Sequence, residues 1–295
     1  MQYQTPFRAI FFAVLFFLFT VPAQAIQILN MNVFDQLQGE WKKDFRATRI
    51  QKLSQWIHEQ SPDIVVFQEA QGETEKSKDS SDAAWIKKMY SYRKYVHEMT
   101  GYDHFSYGYW MGAKHRPVKE FSDGFSFPGG VARKTQAAIW DKAYDGKECL
   151  GILSLHMSYQ TSEVRQKEAQ WIIDWVKAHE VDCAHWIVMG DFNADKQDKE
   201  IQMLFTAGFK SVVKDLQPTV GAFNPIRQIY GKDIPSKTID WAFAWNADGR
   251  GTIVFSGAVD KVWLSDHAAV YMDIGTEKFE SRKKSKHKSK KHKRK

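Results

Sequence analysis

Residues 26–34 (IQILNMNVF) alternate apolar and polar side chains, the two-residue period of a half-buried strand. From Asp44 to Gln60 the period lengthens. Phe45, Ile50, Leu53, Trp56 and Ile57 line one face of a helix, and Ser61-Pro62 ends it. Ile64 to Phe67 (IVVF) is a short continuous apolar run, as in a strand covered on both faces, and it leads into Gln68-Glu69. Residues 71–84 are polar and read as a loop, and Asp82 to Met99 reads as a helix. Residues 100–130 are rich in Gly and aromatics (Tyr102, Phe105, Tyr107, Tyr109, Trp110, Phe121, Phe125, Phe127), and neither period places them. Val131 to Trp140 reads as a strand.

The next stretch is the most regular. Cys149 to Met157 (CLGILSLHM) reads as a strand ending near His156. Glu163 to His179 reads as a helix with Val164, Ala169, Ile172, Ile173 and Val176 on its apolar face. Trp186 to Met189 is again a buried strand, running out at Asp191. Strand, helix and strand form a β-α-β unit, whose strands run parallel through a right-handed crossover. His156 and Asp191 then leave the sheet at one edge. Thr238 to Trp245 (TIDWAFAW) and Val270 to Ile274 complete the strands, with Ser265-Asp266-His267 just before the last.

Both ends of the chain differ from this pattern. A single charge, Arg8, precedes the 12-residue apolar run Ile10–Val21, and Ala23-Gln24-Ala25 follows. That order is a secretory signal over residues 1–25, cleaved after Ala25. An uncleaved anchor is the alternative, but a spanning helix needs about 20 apolar residues. No Cys follows the site to carry a lipid. Ser281 to Lys295 holds ten Lys or Arg, two His and three Ser, and reads as a disordered basic tail.

The tail changes the meaning of the charge. Of 42 Lys and Arg, Arg8 and the ten in the tail lie outside the body, leaving 31 against 35 Asp and Glu in residues 26–280. The body is mildly acidic, so the overall +7 is no evidence for a basic substrate groove. At 255 residues the body suits one large domain. Its two cysteines, Cys149 and Cys183, are too few for a disulfide scaffold and are spaced for no zinc site. If the flanking strands are neighbours, the two sit at similar heights near the edge opposite His156. A disulfide and a pair of buried thiols both remain open.

Asn32, Glu69, His156, Asp191, Asn193, Asp240, Asp266 and His267 all stand at or just beyond expected strand ends. Loops and strand ends on a rigid sheet are where function concentrates, and burying such groups without partners is costly. Their chemistry suits phosphate ester cleavage. Mg2+ takes hard oxygen ligands, often one or two carboxylates with substrate phosphate and water. Glu69 is the first choice of ligand, with Asn32 and Asp266 beside it; Mn2+ or Ca2+ are alternatives. His267 has the pKa range of a base for a water nucleophile, and Asp240 would fix its tautomer. Asp191 would orient the water, and Asn193 and His156 would donate to the phosphate. Taken singly, each signal is weak: Asp191-Phe192-Asn193 is also a good turn sequence.

Taken in order, these residues resemble the endonuclease/exonuclease/phosphatase superfamily, which includes pancreatic-type deoxyribonucleases, abasic-site endonucleases, neutral sphingomyelinases and inositol polyphosphate phosphatases. The resemblance rests on Asn32-Val33, Ser61-Pro62-Asp63-Ile64-Val65 leading to Gln68-Glu69, Leu155-His156, Arg165, Gly190-Asp191-Phe192-Asn193, Ile239-Asp240-Trp241 and Ser265-Asp266-His267. It spans about residues 26–274. It implies a four-layer α/β/β/α sandwich of two packed mixed β-sheets flanked by helices, with the site at one edge, and the roles above. Arg165 has a plainer reading as the surface partner of Glu163 or Glu168.

Three functions follow. The first is a secreted or periplasmic nuclease, since Gly190 to Asp195 (GDFNAD) looks like the matching stretch of pancreatic-type deoxyribonucleases. The basic tail would then hold nucleic acid by sequence-independent attraction. The second is a sphingomyelinase-type lipid phosphodiesterase. Leu155-His156 and Gly129-Gly130-Val131-Ala132 look like that branch, and the tail would bind an anionic membrane surface. The third is a non-catalytic polyanion-binding protein, which the full set of candidate residues argues against. A monomer is expected. The resemblance implies that residues 71–130 help shape the substrate groove and so carry substrate choice; their aromatics could stack bases, sit at a lipid interface or fill the second sheet, and are read first as core.

Overall fold

The computed structural model describes residues 25–33, 42–71, 88–100, 106–144, 146–214, 217–221, 235–254 and 264–275. The expected signal residues 1–24, loop residues 72–84 and basic tail 281–295 lie outside them.

Twelve strands form two six-stranded sheets. The first holds β1 (Ile26–Asn32), β2 (Ile64–Gln71), β3 (Tyr92–Thr100), β4 (Ser106–Ala113), β11 (Gly249–Val254) and β12 (Ala269–Ile274), in the order β11-β12-β1-β2-β4-β3. The second holds β5 (Lys119–Phe125), β6 (Arg133–Tyr144), β7 (Glu148–His156), β8 (Trp186–Asp191), β9 (Lys210–Ser211) and β10 (Asp240–Trp245), in the order β5-β6-β7-β8-β10-β9. Each sheet has one parallel pair at its centre, β1 with β2 and β7 with β8. A helix makes each crossover: α1 (Lys42–Gln60) and α2 (Ser162–Ala178), with α3 (Lys199–Ala207) beside α2.

Alternation along the strands divides the core into three. Ile28, Val66, Met111, Ile152, Met189, Ala242 and Val270 pack between the sheets. Leu29, Met31, Val65 and Phe67 face the other way and meet Leu53, Trp56 and Ile57 of α1. Leu153, Leu155, Val188 and Phe243 meet Ala169, Ile172, Ile173 and Val176 of α2, with Ile201 and Leu204 of α3. The architecture is the expected α/β/β/α sandwich of two mixed sheets.

Local chemistry sets the helix limits. Ser61 takes a positive φ of 48° and its N–H closes on Ile57 O at 2.8 Å, after which Pro62 prevents continuation. Thr161 caps α2 by accepting from Val164 N at 3.3 Å.

Of the expected helix 82–99, residues 82–87 lie outside the described residues and Lys88-Met89 are helical, but Tyr92–Thr100 is a strand paired with β4. Its inward residues carry polar groups satisfied from elsewhere, so the sequence hides the alternation. Lys94 pairs with Glu120, and Glu98 pairs with Arg133. Much of the aromatic stretch is β4 and β5, and Tyr109 and Phe125 are buried.

Cys149 and Cys183 form a disulfide with their Cα atoms 5.7 Å apart. It ties the start of β7 to the turn before β8 and closes a crossover of sequence separation 34. By the chain-entropy estimate, replacing both Cys by Ser costs about 3–4 kcal/mol of stability. Urea unfolding of the double variant tests this. A loss under about 1 kcal/mol would show that helix packing alone holds the crossover.

Candidate active site

The space between the sheets changes character toward one end of the strands. Below lies the apolar layer of Ile28, Val66, Ile152 and Met189. The next inward positions are polar and fully buried: Asn30, Gln68, Gln136 and Ser154. The last are Asn32 on β1, His156 on β7, Asp191 on β8 and Asp240 on β10. His156 pairs in register with Asp191, and Asp191 with Asp240, so three strands deliver adjacent side chains.

Glu69 reaches this row through an irregularity. Strict alternation would turn it toward α1. The β2–β4 register instead shifts between Phe67 and Ala70, and Glu69 takes a positive φ of 51°. Phe67 and Ala70 both face α1, so Gln68 and Glu69 fall together on the inner side. A bulge of this kind is one way a strand re-aims a functional side chain. Gly190 has a different necessity. Its φ is 148°, and a Cβ there would meet Leu155 O at 1.8 Å.

The eight candidate residues converge on Asp191. Asn32 Nδ2 donates to Glu69 Oε1 at 3.0 Å and to Asp191 Oδ2 at 3.1 Å, linking the two sheets. His156 Nε2 lies 3.6 Å from Asp191 Oδ2 and 3.8 Å from Glu69 Oε1. His267 donates from Nδ1 to Asp240 at 2.9 Å, and its Nε2 stands 3.8 Å from both Asp191 Oδ2 and Asp266 Oδ1. Asn193 is turned partly away. Its backbone N–H donates to Asp191 Oδ1 at 2.8 Å, and its amide donates to Met157 O at 3.0 Å.

Several supporting residues carry no motif. Arg133 is buried at the head of β6, where it donates to Glu98 Oε2 at 3.1 Å and approaches His156 Nδ1 at 3.4 Å. Tyr109 donates to the other oxygen of Glu98 at 2.8 Å. Thr219 Oγ1 accepts from the backbone of Ile239 and Asp240 at 3.0 and 3.1 Å, and its carbonyl accepts from Ala268 N at 2.8 Å. It thereby joins Asp240 to the loop bearing His267. The one sequence signal for Arg133 is a cation at the start of a strand bound for the core, which demands a buried carboxylate. Arg165 pairs with Glu200 of α3, in place of the expected Glu163 or Glu168, and also donates to Ser158 O at 3.3 Å.

The sequence profile of the endonuclease/exonuclease/phosphatase family matches residues 29–267, from β1 to His267. The chain belongs to this family. Its structure is similar to that of an endonuclease/exonuclease/phosphatase family protein from Leptotrichia buccalis, at 18% identity and a TM-score of 0.65, covering 85% of this chain and all (100%) of that one. A functionally unknown conserved protein from Enterococcus faecalis is comparable, at 15% and 0.66, with coverage of 85% and 100%. Truncated TDP2 from Caenorhabditis elegans aligns at 17% and 0.63, with coverage of 85% and 98%. At such identities the likeness speaks for the fold. Comparison with curated proteins returns no match.

Endonuclease/exonuclease/phosphatase enzymes depend on divalent metal, and the donor set of this family member fits one. Ligand atoms of Glu69, His156 and Asp191 lie within 4.8 Å of one another, as do those of Asp191, Asp240 and His267. Hard oxygen donors dominate, as Mg2+ requires. The charge balance points the same way. Burial raises the Glu69 carboxyl to about 7, with Asp266 and Asp191 adding to the effect. Burial likewise raises Asp191 to about 6, although His267 opposes it. Burial works against a charged His267, but Asp240 and Asp266 outweigh it and raise the ring to about 10. Burial, Arg133 and His267 hold His156 well below its usual range, so it is a neutral donor or acceptor.

A divalent cation held among Glu69, His156 and Asp191 would need both carboxylates ionised. Both carboxyls titrate above their usual range, so affinity is low in acid and rises as pH climbs through about 6 to about 7. Isothermal titration with Mn2+ should show affinity at least about tenfold weaker near pH 5.5 than near pH 8. A flat profile would show that other groups bind the ion.

Proposed function

We propose that this protein is an exported, divalent-metal-dependent phosphodiesterase, and that its substrate is nucleic acid. The observation that carries the reading is the His267–Asp240 pair, with His267 Nε2 facing Asp191 at 3.8 Å in the row that also holds Glu69. In this reading residues 26–280 are the catalytic domain, 1–25 a secretory signal and 281–295 a polyanion-binding tail. The disulfide supports export, because such bonds persist in oxidising compartments.

Glu69 and Asp191 hold the cation, with Asn32 fixing both carboxylates and Asp266 adding charge. When bound, a divalent cation offsets the growing charge on the phosphoryl and leaving oxygens. His267, raised by Asp240 and Asp266, would more readily be neutral and able to accept a proton with a cation held beside them. His267 Nε2 then takes the proton of the attacking water, while Asp240 keeps Nδ1–H in place and stabilises the cation that forms. Asp191 orients the water. His156 Nε2–H donates to a phosphoryl oxygen, with Arg133 fixing the ring. Asn193 holds Asp191 and Met157 and would have to turn to reach the phosphate. One P–O bond forms to water oxygen and one breaks to the leaving oxygen.

Two features favour nucleic acid as the substrate. The basic tail suits salt-dependent attraction to a polyanion. Tyr159, three residues past His156, is 67% exposed and offers a face on which a base could stack.

Plasmid DNA and sphingomyelin vesicles, each with Mg2+ and with chelator, separate the readings. Metal-dependent nicking without lipid turnover is expected; lipid turnover alone would replace the nuclease reading. His267→Ala should lower kcat by about a hundredfold or more while circular dichroism stays native. Near wild-type kcat in that variant would contradict the assigned base.

A further inference from the structure

The candidate site is divided between two sheets whose strands, among the described residues, exchange no backbone hydrogen bond at this point; the bond from Ala268 N to Thr219 O joins only flanking loops. Asn32 and Glu69 belong to one, and His156, Asp191 and Asp240 to the other. Within each sheet the ladder fixes the register. Between sheets the contact is mainly apolar packing, which is non-directional, so a directional tie is needed to hold the halves at a set spacing.

We infer that Gln68 supplies this tie as a positioning residue. It lies on β2 next to Glu69 and opposite Asn32 in the β1–β2 ladder. Its Nε2 donates to Asn30 Oδ1 at 2.9 Å in its own sheet and to Ser154 Oγ at 3.3 Å on β7 of the facing sheet. Ser154 stands two residues before His156. One amide therefore joins the strand of Glu69 to the strand of His156, one layer beneath the cluster. The flank has similar cross-sheet ties, from Gln136 to Lys94 O at 3.2 Å and from Arg133 to Glu98 at 3.1 Å.

Stability does not account for this layer. Asn30, Gln68 and Gln136 are fully buried, yet Asn30 Nδ2, Gln68 Oε1 and Gln136 Oε1 have no hydrogen-bond partner among the described residues. A buried amide with an unmet atom is unfavourable compared with an apolar side chain of the same volume. What the amides add is direction. The Asn32–Asp191 bond also crosses the sheets, but it lies within the donor set and is open to rearrangement on ligand binding.

The inference rests on the metal-dependent reading, and its test separates the two. Full-length Gln68→Met, Ser154→Ala and the double variant are compared with the unmodified chain. The readouts are urea unfolding, Mn2+ affinity by titration calorimetry, and kcat and KM on bis(p-nitrophenyl) phosphate. Gln68→Met leaves buried Asn30 Oδ1 without its donor, so it should unfold at a somewhat lower urea midpoint but still in one cooperative transition. Its Mn2+ affinity and kcat should fall by about tenfold to a hundredfold, with KM little changed. The double variant should lose no more than the worse single one, because both remove the same tie. Wild-type affinity and kcat in Gln68→Met, or losses that multiply in the double variant, would overturn the role. An unmodified chain that binds no Mn2+ would instead remove the metal-dependent reading and this inference with it.

Discussion

Asp191 sits where the two sheets meet, and each neighbour of its carboxylate comes from a different element. Asn32 reaches it from β1, His156 from β7, His267 from the loop before β12, and its own turn supplies the backbone N–H of Asn193. Asp240 stands opposite it in the ladder. Four carboxylates and two imidazoles thus share one mostly buried row. Such a concentration of anions is unfavourable unless protons or a cation offset it. The raised carboxyl of Glu69 and the raised ring of His267 are the same imbalance seen from both sides. Everything around the row keeps that imbalance in place.

The scaffold does so with two β-α-β units, one per sheet. β1-α1-β2 presents Asn32 and Glu69, and β7-α2-β8 presents His156 and Asp191. The second unit is locked by the disulfide at its far end and by the close approach that Gly190 permits. The first is fixed at its far end by Asp63, which accepts from Gln27 N at 2.9 Å and from Lys114 at 3.0 Å. The ends away from the site are thus tied, and the ends at the site carry the polar row. Loops of such a frame can vary in length and content without disturbing the row.

Much of this could be read in the sequence, for identifiable reasons. The β-α-β unit over 149–191 has clean periods and strong stops, so both its elements and the pairing of His156 with Asp191 followed. The expected residues do gather, and Asp240 lies on the far nitrogen of His267. What stayed hidden depends on tertiary partners. β3 carries Lys94 and Glu98 inward, and their partners Glu120 and Arg133 come from β5 and β6. No local period reveals that. Glu69 reaches the site through a bulge and a positive φ, which its sequence does not announce. Gln68, Arg133 and Thr219 act through bonds across sheets or loops, and such bonds leave no spacing along the chain. Arg165 was visible, but its partner Glu200 lies on a helix far along the chain.

The donor set and charge of the row between the sheets fit a divalent cation. Anomalous diffraction from crystals soaked in Mn2+ tests it most directly. One strong peak is expected between the sheets, in contact with Glu69 and Asp191 and beside Asn32. A peak confined to surface carboxylates, with the buried row unchanged, would contradict it.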